Sequence, residues 1–173
     1  MNPPRDAEPV PEQYQPERNT NISSGPCRIV PVTMKSRMRM RTSVYQCARY
    51  FMHEWGADFP SYDPKGDEDA RPFLWVANTG GGWYQAVGAV NFRKRNWSHV
   101  SPWGLEWIWL HPFARGRGYL KAAWPYFEQE FGDFIPEPPY SPAMRHFLLK
   151  NWRGELGDMF RKNNGVEERA SKL

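Results

Sequence analysis

Leu110–Leu120 reads LHPFARGRGYL, and the fold turns on how that stretch is read. Before it lies WGLEWIWL, an apolar, aromatic run of strand character; after it comes a helix-forming run, YLKAAWPYFEQEF. A Gly-containing turn between a strand and a helix leaves several backbone N–H groups pointing at one place. The positive end of the helix dipole adds to them, so an anion fits there. Gly116 and Gly118 allow close backbone approach, and Arg115 and Arg117 add charge. The plain alternative is a surface loop with two arginines for solubility. No Lys-Ser/Thr follows the glycines, which excludes a Walker turn. The glycine spacing, with no parallel βαβ unit and distal acid after it, excludes a dinucleotide fingerprint.

Working outward, CRIVPVT at 27–33 reads as a first strand with an edge-type Pro31. From about Arg37 to Trp55, the apolar positions Val44, Ala48, Phe51/Met52 and Trp55 recur at helical spacing. A polar loop with three prolines follows. Phe73–Ala77 is a short buried strand, Asn78–Gly82 a turn, and Tyr84–Phe92 its hairpin partner. The basic loop RKRNWSHVSP leads into a fourth strand, Trp103–Leu110. After the quoted turn come a helix over Tyr119–Phe131, a short strand at Asp133–Ile135 and a helix over Ser141–Trp152. The order β-α-β-β-β-α-β-α predicts an α/β (α+β) fold with a mixed central sheet flanked by helices. No internal repeat interrupts it.

A length of 173 residues suits one domain. Residues 1–26 are rich in Pro, Glu, Gln, Asn and Arg and too poor in large aliphatics to offset chain entropy, so they read as a flexible arm. Residues 27–155 form the expected domain, and 156–173 a polar tail. The net charge of +4 accommodates a phosphorylated ligand, an acidic protein or a nucleic acid, and selects none of them. Cys27 and Cys47 are the only cysteines, with no CxxC and no His at ligand spacing, so neither a structural zinc nor a disulfide framework is expected. No apolar run approaches the length of a membrane span, and the start lacks a secretory pattern. The expectation is a cytoplasmic protein with no membrane partner.

Arg115-Gly116-Arg117-Gly118-Tyr119-Leu120, behind a strand ending Leu-His-Pro, resembles the signature turn of the GNAT superfamily of N-acetyltransferases, Arg/Gln-x-x-Gly-x-Gly/Ala. It departs at the sixth place, where Leu120 stands for a small residue. A second stretch, Ser141-Pro-Ala-Met144-Arg-His-Phe147-Leu148-Leu-Lys150-Asn-Trp152, is similar to the family's helix after its fifth strand, Asn-x-x-Ala-x-x-Phe-Tyr-x-Lys-x-Gly. Phe147 and Lys150 match. Leu148 replaces the Tyr that often serves as general acid. The resemblance covers roughly residues 27–152 and lacks a closing strand pair, which a second chain in a homodimer could supply.

The resemblance implies acetyl-CoA as cosubstrate, without a metal, and a primary amine as acceptor. It implies a cofactor site of Leu110, His111, Arg115, Gly116, Arg117, Gly118, Tyr119, Leu120 and Ser141. In this family a main-chain N–H at the end of the fourth strand meets the thioester oxygen, here at Leu110 or a neighbour. Strand alternation puts Gly104, Glu106, Ile108 and Leu110 on one face, with Trp103, Leu105, Trp107 and Trp109 on the other. Glu106 is the strand's only carboxylate, and an apolar, Trp-rich surrounding would suit it as a base working through water. The family's base commonly lies two residues earlier, at Gly104. Tyr140 is the candidate acid. His111 reads as a cofactor contact more than a proton carrier.

Arg93-Lys94-Arg95, with Trp97 and His99, fits either a nucleic-acid surface or a solvated loop. Lys35, Arg37, Arg39 and Arg41 fit recognition of an acidic substrate or an exposed helix start. Two functions stay open on these residues: an N-acetyltransferase acting on a small molecule or a protein, and a catalytically degenerate module binding a protein or nucleic acid.

Overall fold

The hairpin Ala70–Gly80 (β2) and Trp83–Lys94 (β3) is the centre of the sheet. Phe73-Leu74-Trp75-Val76 is apolar at every position because both faces of β2 are covered. Phe73 and Trp75 enter one core, Leu74 and Val76 the other. The computed structural model describes residues 27–56, 58, 60–80, 83–96 and 103–164. The expected arm, Trp97 and His99 lie outside them.

Cys27–Pro31 (β1) pairs with β2, and Trp103–Leu110 (β4) with β3, all antiparallel. Ile135–Pro136 (β5) joins β4 in parallel, giving a five-stranded sheet in the order β1-β2-β3-β4-β5. Met38–Trp55 (α1) covers one face with Met40, Val44, Cys47 and Ala48 packed toward Trp107 and Trp109. Gly56, at φ 68°, ends it with its N–H on the Met52 carbonyl. Tyr119–Phe131 (α2) and Pro142–Asn151 (α3) cover the other face through Trp124, Phe127, Phe131 and Leu148.

Helix bounds follow the expectation closely; the strands β2 and β3 run longer than expected, and β5 lies two residues later at its start. The tail differs more. Gly154–Asn163 is a helix (α4), and Leu156 and Phe160 pack on the α2–α3 core, with the Phe160 ring 5.6 Å from that of Trp152. Among the described residues no closing strand pair follows β5, and α4 occupies that end of the chain.

The alternation expected for β4 is broken. Asn91 pairs with Trp107, but Phe92 pairs with Leu105, so Glu106 is the extra residue of a β-bulge. Trp103 and Leu105 therefore join Ile108 and Leu110 on the α2 side, while Trp107 and Trp109 face α1.

Candidate functional site

β4 and β5 part early. Their ladder ends at Leu105 opposite Pro136, closed by the Glu137 N–H on the Leu105 carbonyl at 2.9 Å. β4 runs on to Leu110. On its other side the His111 N–H donates to Val87 at 2.8 Å, so antiparallel alternation turns the N–H of Leu110 away from β3, toward the gap. The gap opens into a cavity of about 620 Å³ between the end of β4, the turn and the start of α3.

Gly116 and Gly118 line that cavity at φ 72° and 79°, a region that favours glycine. A Cβ built on either meets nothing within 4 Å, so the concave face of the turn is open space. Gly118 is the N-cap of α2, which places the free N–H groups of that helix at the cavity. Tyr119, Leu120 and Lys121 continue the wall, with Leu120 half-buried against the core. Ser141 caps α3 by accepting from the Met144 N–H at 3.0 Å and also lines the cavity. The residues present fit an anionic, extended ligand: an open nest of amides at one end and apolar walls of Met144, Phe147 and Trp55 beyond it.

Two expected cofactor contacts have other work. Arg115 donates from Nε to the Leu110 carbonyl at 2.8 Å and from one amino nitrogen to both oxygens of Glu54 at 2.7 Å. It ties the turn to β4 and α1. His111 is buried, its N–H is spent on β3, and its Nδ1 accepts from the Phe113 N–H at 3.3 Å; it is not in the cavity wall. Arg117 is exposed on the turn.

Glu106 does not sit in the apolar setting expected of it. Its Oε1 accepts from Ser61 at 2.7 Å and from Arg93 and Arg95 at 3.0 Å each; its Oε2 accepts from Asn91 at 2.8 Å. Arg93 Nε also reaches Oε2, at 3.1 Å, so donors engage both oxygens of the carboxylate. Arg93 also forks onto Asp67 at 2.7 and 2.8 Å, and Arg95 onto Glu137 at 2.8 Å twice. The guanidinium of Arg93 is held above its ordinary pKa, first by the Asp67 hydrogen bond. The arginines of the basic loop are thus spent inside the fold, and Arg41 is tied to the Ser36 and Pro64 carbonyls.

Tyr140 donates its hydroxyl to the Pro136 carbonyl at 2.7 Å, at the mouth of the β4–β5 gap. Burial, then the Glu137 charge, pushes its pKa up, so the phenol keeps its proton. Sequence reasoning missed Lys121, and it missed Glu54 and Glu137, whose partners are distant in the chain; it read Arg95 as part of a nucleic-acid surface or a solvated loop.

No family model and no curated protein matches this sequence. Solved structures do. The xEco2 acetyltransferase domain is 13% identical with a TM-score of 0.51, over 82% of this chain and 89% of that one. The same domain bound to a CoA conjugate is 12% identical with a TM-score of 0.52, over 79% and 88%. The ribosomal-protein-alanine N-acetyltransferase of Brucella melitensis biovar Abortus 2308 is 16% identical with a TM-score of 0.51, over 75% and 91%.

The chain has the GNAT fold.

Within the GNAT fold seen here, α4 ends the described chain where closing strands were expected. Among the described residues no group of His, Cys, Asp or Glu is placed to hold a metal, and no helix is long and apolar enough to cross a membrane.

Proposed function

We propose that this chain is an acetyl-CoA-dependent N-acetyltransferase that acts on a primary amine of a small molecule or a protein. The observation that carries the reading is the convergence on one cavity of an open glycine turn, a helix N-terminus and the parted edge of β4. Acetyl-CoA supplies an acyl group already activated as a thioester. The amides of Gly116, Gly118 and the first turn of α2 bind its pyrophosphate, with Lys121 nearby to add charge. The Leu110 N–H, free of β3, is a donor for a carbonyl oxygen as negative charge builds on it. Tyr140, kept protonated, is the group that returns a proton to a leaving thiolate. Glu106, clamped by two arginines, serves as an anchor for the site and not as its base. The acceptor amine attacks in its neutral form; once the C–N bond has formed its nitrogen gives up a proton to solvent, and the C–S bond breaks to release the thiolate.

That same clamp, by engaging the only carboxylate of β4, favours a second reading: a module that keeps the cofactor site and has lost turnover, and that binds a protein or nucleic-acid partner by a surface other than Arg93 and Arg95. Titration calorimetry with acetyl-CoA on wild type and Gly118→Trp addresses the first step. The expected result is saturable binding, weakened at least about tenfold in a variant that still unfolds cooperatively, at a somewhat lower midpoint because a side chain at φ 79° is strained. Equal binding by both proteins would remove the turn from the site. Thiol release with a panel of amines then separates the readings: release supports the enzyme, and binding without release supports the module.

A further inference from the structure

Among the described residues that line the large cavity, Glu54 is the only carboxylate, although the glycine turn of that cavity suits an anion. Glu54 also lies in the last turn of α1, at the negative end of the helix dipole, where an acid is disfavoured. Two unfavourable fields thus meet at one side chain, and three hydrogen bonds offset them. The indole N–H of Trp109 donates to Oε1 at 3.0 Å, and one amino nitrogen of Arg115 donates to both oxygens at 2.7 Å. Trp109 is itself buried, with its ring stacked 4.8 Å from that of Tyr50, so the core on the α1 side fixes where the carboxylate stands.

We propose that Glu54 is a positioning residue of the cofactor site: anchored by Trp109, it grips Arg115, and Arg115 holds both the glycine turn and the free edge of β4 in place before the cofactor arrives. The inference rests on the acetyltransferase reading above. The edge of β4 is the first argument. Arg115 Nε donates to the Leu110 carbonyl at 2.8 Å. On an antiparallel strand a residue's N–H and C=O point to the same side, so this carbonyl faces the gap beside the Leu110 N–H. Beyond Leu105 β5 no longer pairs with β4, and Arg115 stands in for it at that carbonyl.

The turn is the second. Gly116 and Gly118 follow Arg115 at once, and glycine has the most backbone freedom to lose when a segment is ordered. A turn so composed gains order from a tether outside it, and Arg115 in the grip of Glu54 is that tether. The pair is partly exposed, with side chains 47% and 35% accessible, so it adds little to the stability of the whole fold. Its effect falls on binding, because order already present is not lost when a ligand docks. Charge alone makes the opposite forecast for Glu54. Removing a carboxylate from the wall of a cavity that receives an anion would tighten binding; removing the grip on Arg115 weakens it.

The test is calorimetric titration with CoA on wild type, Glu54→Ala, Glu54→Gln, Arg115→Ala, Arg115→Lys and the double variant Glu54→Ala/Arg115→Ala, each also unfolded by heat. Glu54→Ala is expected to bind CoA about fivefold or more weakly, with the thermal midpoint moved by no more than about 2–4 °C. Glu54→Gln, which keeps one acceptor oxygen, should recover part of the loss. Arg115→Lys keeps the charge but cannot hold Leu110 and Glu54 at once, so it should bind almost as weakly as Arg115→Ala. The double variant should bind no more weakly than Arg115→Ala, because both changes remove one tether. Unchanged or tighter binding by Glu54→Ala would overturn the proposal, as would full recovery in Arg115→Lys or losses that multiply in the double variant. A collapse of the midpoint in Glu54→Ala and Glu54→Gln alike would make Glu54 a residue of the fold and overturn it too. Failure of CoA to bind wild type would overturn the acetyltransferase reading, and this inference with it.

Discussion

Glu106 occupies the bulge of β4 with Ser61, Asn91, Arg93 and Arg95 around its two oxygens. A carboxylate so engaged holds the structure together. Glu106→Gln leaves two guanidinium groups short of charge, and we expect a loss of about 2–4 kcal/mol in urea unfolding. A base would behave otherwise: turnover would collapse with stability intact. The two cysteines and Tyr62 give a pH signature. Burial pushes both thiols from 9.0 to about 12 and lifts the Tyr62 phenol from 10.0 to about 12. Below pH 9 the folded and unfolded chains both hold these protons, so the stability the groups contribute is fully present. As pH rises toward 12 the unfolded chain releases them first, and stability falls. The urea midpoint should therefore drop steeply above about pH 9. At neutral pH a thiol reagent should label Cys27 and Cys47 only after denaturation.

Among the elements, α2 links the core to the site. Its Phe127 is fully buried, with ring centroids 5.0 Å from Phe92 and 5.5 Å from Phe73, while its first turn lines the cavity. Phe127→Ala should cost about 3–5 kcal/mol by calorimetric unfolding, through the cavity it leaves. Helix α4 is a subtler case. Its sequence GELGDMFRKN contains two glycines, weak helix formers, against which stand Glu155 in the first turn and Arg161 and Lys162 in the last, charges that suit the helix dipole. Packing of Leu156 and Phe160 stabilises it. A Cβ on Gly157 would come within 2.3 Å of the Trp152 carbonyl oxygen, so Gly157→Ala should lift α4 and cost about 1–3 kcal/mol. Unchanged unfolding in that variant would mean that α4 contributes little to the fold. The contrast with α2 is instructive, since α2 starts at Tyr119 as its glycine turn and apolar run predict.

For the whole molecule, ligand linkage offers the broadest check. Acetyl-CoA at a hundred times its dissociation constant should raise folding stability by about 2.7 kcal/mol, read as an upward shift of the thermal midpoint. An unmoved midpoint would count against a cofactor site in the folded chain. What the sequence by itself determined was local: a strand, a glycine turn and a helix in that order, the extent of α1 to α3, and the one face of the site built from Gly116, Gly118 and Ser141. Backbone preferences and apolar periodicity act over a few residues, so they are readable in a line of letters. Tertiary structure alone decided the bulge at Glu106, the parting of β4 from β5 and the helix at the tail. It also decided the carboxylate partners of Arg93, Arg95 and Arg115, which lie 11 to 61 residues away along the chain. Charge looks solvated in sequence until strand register sets a counter-charge beside it. Register is a property of paired strands, not of either one.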